Sequence, residues 1–162
     1  MKFKAQAATE YLIILAVVVI IALIVIGVMG GFPGMTRGIS ERDSAAYWSG
    51  ADVGIIRYNI VASGGSGSST LVLRNNKNFQ ISVSRITIGG QTLSGTNTTP
   101  NLPQTIPPGA TLALNASATN LNCGSANVGS GYSMNVQIVY TDPQYGNTYT
   151  FTGEKPLVGT CQ

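Results

Sequence analysis

The stretch "YSMNVQIVY", residues 132–140, alternates apolar and polar side chains. Successive side chains of a strand point to opposite faces, so a period of two marks a strand with one buried face. The pattern places Met134, Val136, Ile138 and Tyr140 inward, with Asn135, Gln137 and Val139 outward. Read as one strand, it sets the character expected of residues 51–162.

The same period recurs on either side. In "GIIRYNIVA" (54–62), Ile56, Tyr58 and Ile60 share one face and Arg57 and Asn59 the other. "SGGSGSS" (63–69) reads as a flexible connection. "TLVLRNNKNFQISVSRITI" (70–88) gives two strands about an Asn-rich turn at 75–78. In the second, Phe79, Ile81 and Val83 sit at odd positions but Ile86 and Ile88 at even ones, a phase slip that predicts a β-bulge near Ser84 and Arg85. Gly89-Gly90 suits a tight primed turn closing a hairpin. A polar loop over 94–108 ends in "IPPG" before a strand at 111–115, and "TDPQYGN" (141–147) turns the chain into "TYTFTG" (148–153). There Tyr149 and Phe151 are expected to face the core, with Tyr145 exposed in the turn. Short strands with regular turns predict an antiparallel β-sandwich of the immunoglobulin-like kind.

Composition narrows the function classes. The 162 residues leave room for one terminal segment and one ordinary domain. Charged residues are 9% of the chain, histidine is absent, and the net charge of +3 is scattered. No basic cluster with interleaved aromatics points to nucleic acid. No carboxylate pair, nucleophile elbow or phosphate loop points to catalysis, and no cofactor is implied. Cys123 and Cys161 lack CxxC or Cys/His spacing, which argues against zinc. In an exported chain they read as one disulfide, the alternative being two core thiols.

The N-terminus follows a different rule. From 11 to 29 the side chains are apolar apart from the Tyr11 hydroxyl. As a helix this run is roughly 28 Å long, close to the ~30 Å of a bilayer's hydrocarbon core, and it has no polar face. Lys2 and Lys4 on its short side predict that end cytoplasmic. "GGFPG" (30–34) breaks the run, and Ser40 with Asp43 reads as a capping box opening a second helix to about Trp48, with Ile39, Ala46 and Tyr47 facing the domain. One carboxylate, Glu10, stands at the head of the apolar run. It reads either as an interfacial group or as a partner for a charge on another chain.

The basic leader, Ala5, and then "QAATEYLIILAVVVIIALIVIG" (6–27) resemble archaeal type IV pilins with a class III signal peptide. The resemblance covers about the first 25 residues; beyond them only the low-charge, β-rich texture is similar. It implies removal of residues 1–5 by a prepilin peptidase cutting between Ala5 and Gln6. Residues 6–50 then form the assembly segment, with Gln6, Glu10 and Tyr11 at its head, and residues 51–162 an extracellular domain. It further implies a helical homopolymer, built by pilus assembly machinery, that leaves the cytoplasmic membrane to become an adhesive cell-surface filament. The new ammonium at Gln6 would meet a neighbour's Glu10. Two sequons, at Asn97 and Asn115, are candidate N-glycosylation sites, Asn97 in the loop being the better placed. Together these readings predict an α+β chain, a long N-terminal hydrophobic helix followed by the sandwich. The rival reading is a membrane-anchored extracellular binding protein that does not polymerise.

Overall fold

The computed structural model describes the backbone at residues 3–28 and 33–162, and side chains at 9–25 and 40–162. The described chain forms helices α1 (Phe3–Val28) and α2 (Pro33–Gly50) and then a run of short strands. It divides into two compact units, residues 1–39 and 40–162.

The expected α+β chain with a long membrane-grade helix is overturned. Among the described residues no helix is long and apolar enough to cross a membrane, and the fold is mostly β. Among the described side chains of α1, polar Thr9 and Glu10 come first, and those of 11–25 are apolar or aromatic. The "GGFPG" break falls partly on residues 29–32, outside the described residues; α2 starts at Pro33, whose fixed φ and missing N–H suit a first turn. Ser40 therefore lies inside α2 and is not its cap. Of the three residues expected to face the domain, Ala46 is exposed, Tyr47 half-buried, and the Ile39 side chain lies outside the described residues.

The single sandwich is replaced by three sheets. β1 (Val53–Asn59), β2 (Ser68–Asn75) and β6 (Thr111–Ser117) form the first. β3 (Ile81–Ile88), β4 (Gln91–Ser94), β5 (Gln104–Ile106), β8 (Val136–Thr141) and β9 (Thr148–Thr152) form the second, and β7 (Gly131–Met134) pairs β10 (Leu157–Thr160) in the third. The deciding point is Asn135. The stretch 132–140 is two strands: Tyr132 and Met134 belong to the pair with β10, while Val136, Ile138 and Tyr140 belong to the sheet with β3. The inward set keeps its period through the corner, as strands that switch sheets do, because the Asn135 carbonyl accepts the Gly89 N–H at 2.9 Å. Val139, expected outward, is buried.

Other local readings fare unevenly. The register shift between Val83 and Arg85 is the expected bulge, and Gly89 and Gly90, with φ of 56° and 83°, close the expected hairpin. A second shift, between Ile55 and Arg57, moves the inward position of β1 to Ile55 and leaves Ile56 exposed. The connection at 63–69 is shorter than expected, since Ser68 and Ser69 belong to β2. Ser69 is fully buried, its Oγ accepting the Val61 N–H at 3.0 Å and donating to the Leu121 carbonyl at 2.8 Å. The loop at 94–108 contains β5 and a 3-10 turn, and Asn115 sits within β6 instead of ending it.

The core is closed from one side by α2. Trp48 is fully buried and meets Tyr47 and Phe151 edge-on, at 5.3 and 6.0 Å between ring centres. Gly153 makes room for it, since a Cβ there would overlap the indole. The β2–β3 crossing is held by buried Asn75, whose Nδ2 donates to the Phe79 and Ile106 carbonyls at 2.8 and 2.9 Å while Oδ1 accepts the Lys77 N–H. Asn76 Nδ2 donates to the Ser49 and Ala51 carbonyls, taking up acceptors that a helix end leaves open.

Candidate functional site

Two features stand out, one in each unit. In α1 the large apolar side chains at 11–25 are all exposed, between 48% and 67% of their surface, and they surround the helix. A contiguous apolar surface of this kind marks an interaction site. Glu10 is exposed at its head, next to Tyr11, and among the described residues no cation pairs with it. Ala5 and Gln6 fall on the helical backbone of α1, but their side chains, like residues 1 and 2, lie outside the described residues.

In the second unit, the part of α2 from Ser40 onward is fastened to the segment 154–160. Ser44 Oγ donates to the Pro156 carbonyl at 2.8 Å and accepts the Val158 N–H at 3.0 Å. One buried hydroxyl thereby replaces a neighbouring strand along β10. Thr160 Oγ1 donates to Glu41 at 2.9 Å, the Glu154 N–H donates to the Tyr47 hydroxyl at 2.8 Å, and Lys155 pairs with Asp43 at 2.9 Å. Glu41, Ser44 and Trp48 fall at i, i+3 and i+7, one stripe of a helix. That spacing was visible in the sequence, but the pairing with β10 was not.

Beside this joint lies an open cleft of about 370 Å³ lined by Glu41, Tyr58, Tyr132, Gly159 and Thr160. The Tyr58 hydroxyl donates to the Val158 carbonyl at 2.6 Å. Its pKa is pushed up by burial, partly offset by a bond with Ser44. Burial, and then Tyr58 and Glu41, push the Tyr132 phenol further up. Neither tyrosine was singled out as a pair from the sequence, because they lie on β1 and β7, which only the fold brings together.

Cys123 and Cys161 form a disulfide, 38 positions apart. It ties the residue following β10 to the loop after β6. Asn97 is engaged in its own turn: Oδ1 accepts the Ser94 N–H at 2.7 Å and Nδ2 donates to the Thr92 carbonyl. Asn115 is exposed, and its Oδ1 accepts from Thr70 at 2.8 Å. Tyr149, expected inward, is instead partly exposed on edge strand β9, stacked on Tyr140 at 5.5 Å; Phe151 is half-buried and Tyr145 exposed. Among the described residues no group of His, Cys, Asp and Glu could hold a metal ion. No protein-family model matches the chain, and no curated protein matches it.

Proposed function

We propose that the chain is a structural subunit of a type IV pilus-like surface filament, polymerising through α1. The observation that carries this reading is the all-round exposure of the apolar side chains at 11–25. A helix that packs on one partner, or lies on a membrane surface, keeps a polar face. α1 has none over this span, so its cover must surround it, and neighbouring copies of the same helix supply such a cover. Each Leu or Ile contributes about 1.5–3 kcal/mol on full burial, so a bundle of these helices has ample driving force.

Glu10 gives the bundle a register. A carboxylate taken into an apolar bundle costs several kcal/mol unless paired. Cutting between Ala5 and Gln6 would create an α-ammonium one helical turn before Glu10, available to a neighbouring copy. The disulfide and the joint at Ser44 suit a domain exposed at a filament surface. Adhesion is the role this arrangement serves, with the prepilin peptidase and assembly machinery as partners.

Electron microscopy of detergent-depleted protein, with intact-mass analysis of what assembles, tests this reading. Filaments whose subunits begin at Gln6 are expected. Dispersed monomers, or filaments that retain residues 1–5, would overturn assembly or processing respectively. Monomers would leave the non-polymerising binding protein as the better reading.

A further inference from the structure

The cleft beside the α2 joint is built from four elements: Glu41 comes from α2, Tyr58 from β1, Tyr132 from β7 and Thr160 from β10. Carboxylate, phenol and hydroxyl oxygens line it together with the side-chain amides of Asn59 and Gln162, and among the described residues no Lys or Arg does. Most of its hydrogen-bonding capacity is used by the fold in one direction only. Tyr58 donates to Val158 and is itself bonded by Ser44, which leaves it one lone pair, and Glu41 receives Thr160 on one oxygen while the other has no partner among the described residues.

Tyr132 is the informative residue. It is 7% exposed, yet among the described residues its hydroxyl has no hydrogen-bond partner. Among the described residues the buried side-chain polar atom without a partner is Trp48 Nε1, so the unpartnered Tyr132 hydroxyl is open to the cleft. The oxygen reaches the cleft wall because residue 159 is glycine; a Cβ there would overlap the Tyr132 hydroxyl. The fold therefore makes room for a polar atom that the fold itself does not use.

We infer that this cleft binds a cationic nitrogen group, held between the Glu41 carboxylate and the phenol oxygens of Tyr58 and Tyr132. Among the described residues no cation pairs with Glu41, and its negative charge repels anions. An ammonium has three N–H donors and a guanidinium five, and neither accepts, matching the acceptors that Glu41 and the two phenols offer. The Tyr132 phenol is neutral at physiological pH, and burial raises its pKa further above the ordinary 10, so it adds no second negative charge. Two sources carry this chemistry: a free small amine, and a cationic side chain of a second copy. Arg57, Arg74 and Arg85 are exposed and have no carboxylate partner among the described residues, so the second source is present in the protein itself. The inference does not depend on filament formation.

The full chain in detergent micelles, titrated with ethylammonium chloride and followed by NMR, is the test. Saturable shifts are expected at Glu41, Tyr132 and Thr160, absent with sodium chloride at equal ionic strength and with glucose. Tyr132→Phe and Glu41→Gln should each weaken binding at least tenfold. Tyr132→Phe should leave the thermal midpoint unchanged, because the fold does not use the hydroxyl, and Glu41→Gln still accepts from Thr160. Amine-free shifts that grow with protein concentration and vanish on adding ethylammonium assign the group to a second copy; shifts seen only with amine assign it to a free amine. Equal shifts with sodium chloride, saturation by glucose instead, or unchanged affinity in Tyr132→Phe would overturn it. Because the chain is read while dispersed in micelles, failure here is distinct from failure to polymerise.

Discussion

Ile20 in α1 is 57% exposed, whereas Ile55, Ile86 and Ile138 in the strands are at most 1% exposed. The side chain is the same; what differs is whether the chain supplies its own cover. The strands alternate, so each offers one apolar face to a neighbouring sheet or to α2, and the faces close on each other around Trp48. The described part of α1 is apolar on every face, so no single layer can cover it. Apolar content alone does not make a core; a core needs a polar side to turn outward. Among the described residues, the apolar side chains of α1 are uncovered within their own unit, while most of those of residues 40–162 are buried within theirs.

The sharpest way to break this contrast is to put charge into α1. Ile14→Asp with Ile21→Asp should abolish sedimentable assembly while leaving the urea midpoint of the second unit, read by Trp48 fluorescence, unchanged. A shifted midpoint would mean that α1 helps hold the domain. Within the domain the largest single loss should come from Trp48→Ala, about 3–5 kcal/mol in urea unfolding, because it empties the site that α2 fills. Removing the disulfide by Cys123→Ser with Cys161→Ser should cost about 3–4 kcal/mol by the loop-entropy rule, matched by reducing the unmodified protein.

Ser44→Ala should cost about 1–3 kcal/mol, since it strips partners from the Val158 N–H and the Pro156 carbonyl. Faster hydrogen exchange at Val158 would locate the loss. The smallest effect belongs to Asp52→Asn, which removes the ion pair to Lys77; that pair is partly exposed, so less than about 1 kcal/mol is expected. The Asp52 bond raises the Lys77 pKa above its ordinary 10.5. The stabilisation is therefore present below that value and lost as the pH rises past it, so the difference between Asp52→Asn and the parent should shrink at high pH.

Local chemistry was legible where neighbouring residues decide it. The Gly89-Gly90 turn, the bulge near Ser84 and Arg85, and the inward set Met134, Val136, Ile138 and Tyr140 all follow from spacing. Ile56 was misplaced because a bulge leaves no mark when both Ile55 and Ile56 are apolar and either could face inward. Tyr149 was misplaced because alternation does not reveal that its strand lies at a sheet edge. Ser44 showed no signal as a hydroxyl standing in for a strand, since its partners lie more than a hundred positions away.

By itself, the sequence determined where most of the longer strands run, where the tightest turns fall, and that the head of the chain is apolar on all sides. These are consequences of side-chain period and glycine geometry, which act over a few residues. Only the tertiary structure decided that 132–140 bends into two sheets at Asn135, that the strands form three sheets and not one sandwich, and that Glu41, Tyr58 and Tyr132 share a cleft. Those outcomes depend on backbone groups and hydroxyls finding partners far along the chain. No pattern of near neighbours encodes that match; it is made when the whole set of partners closes at once.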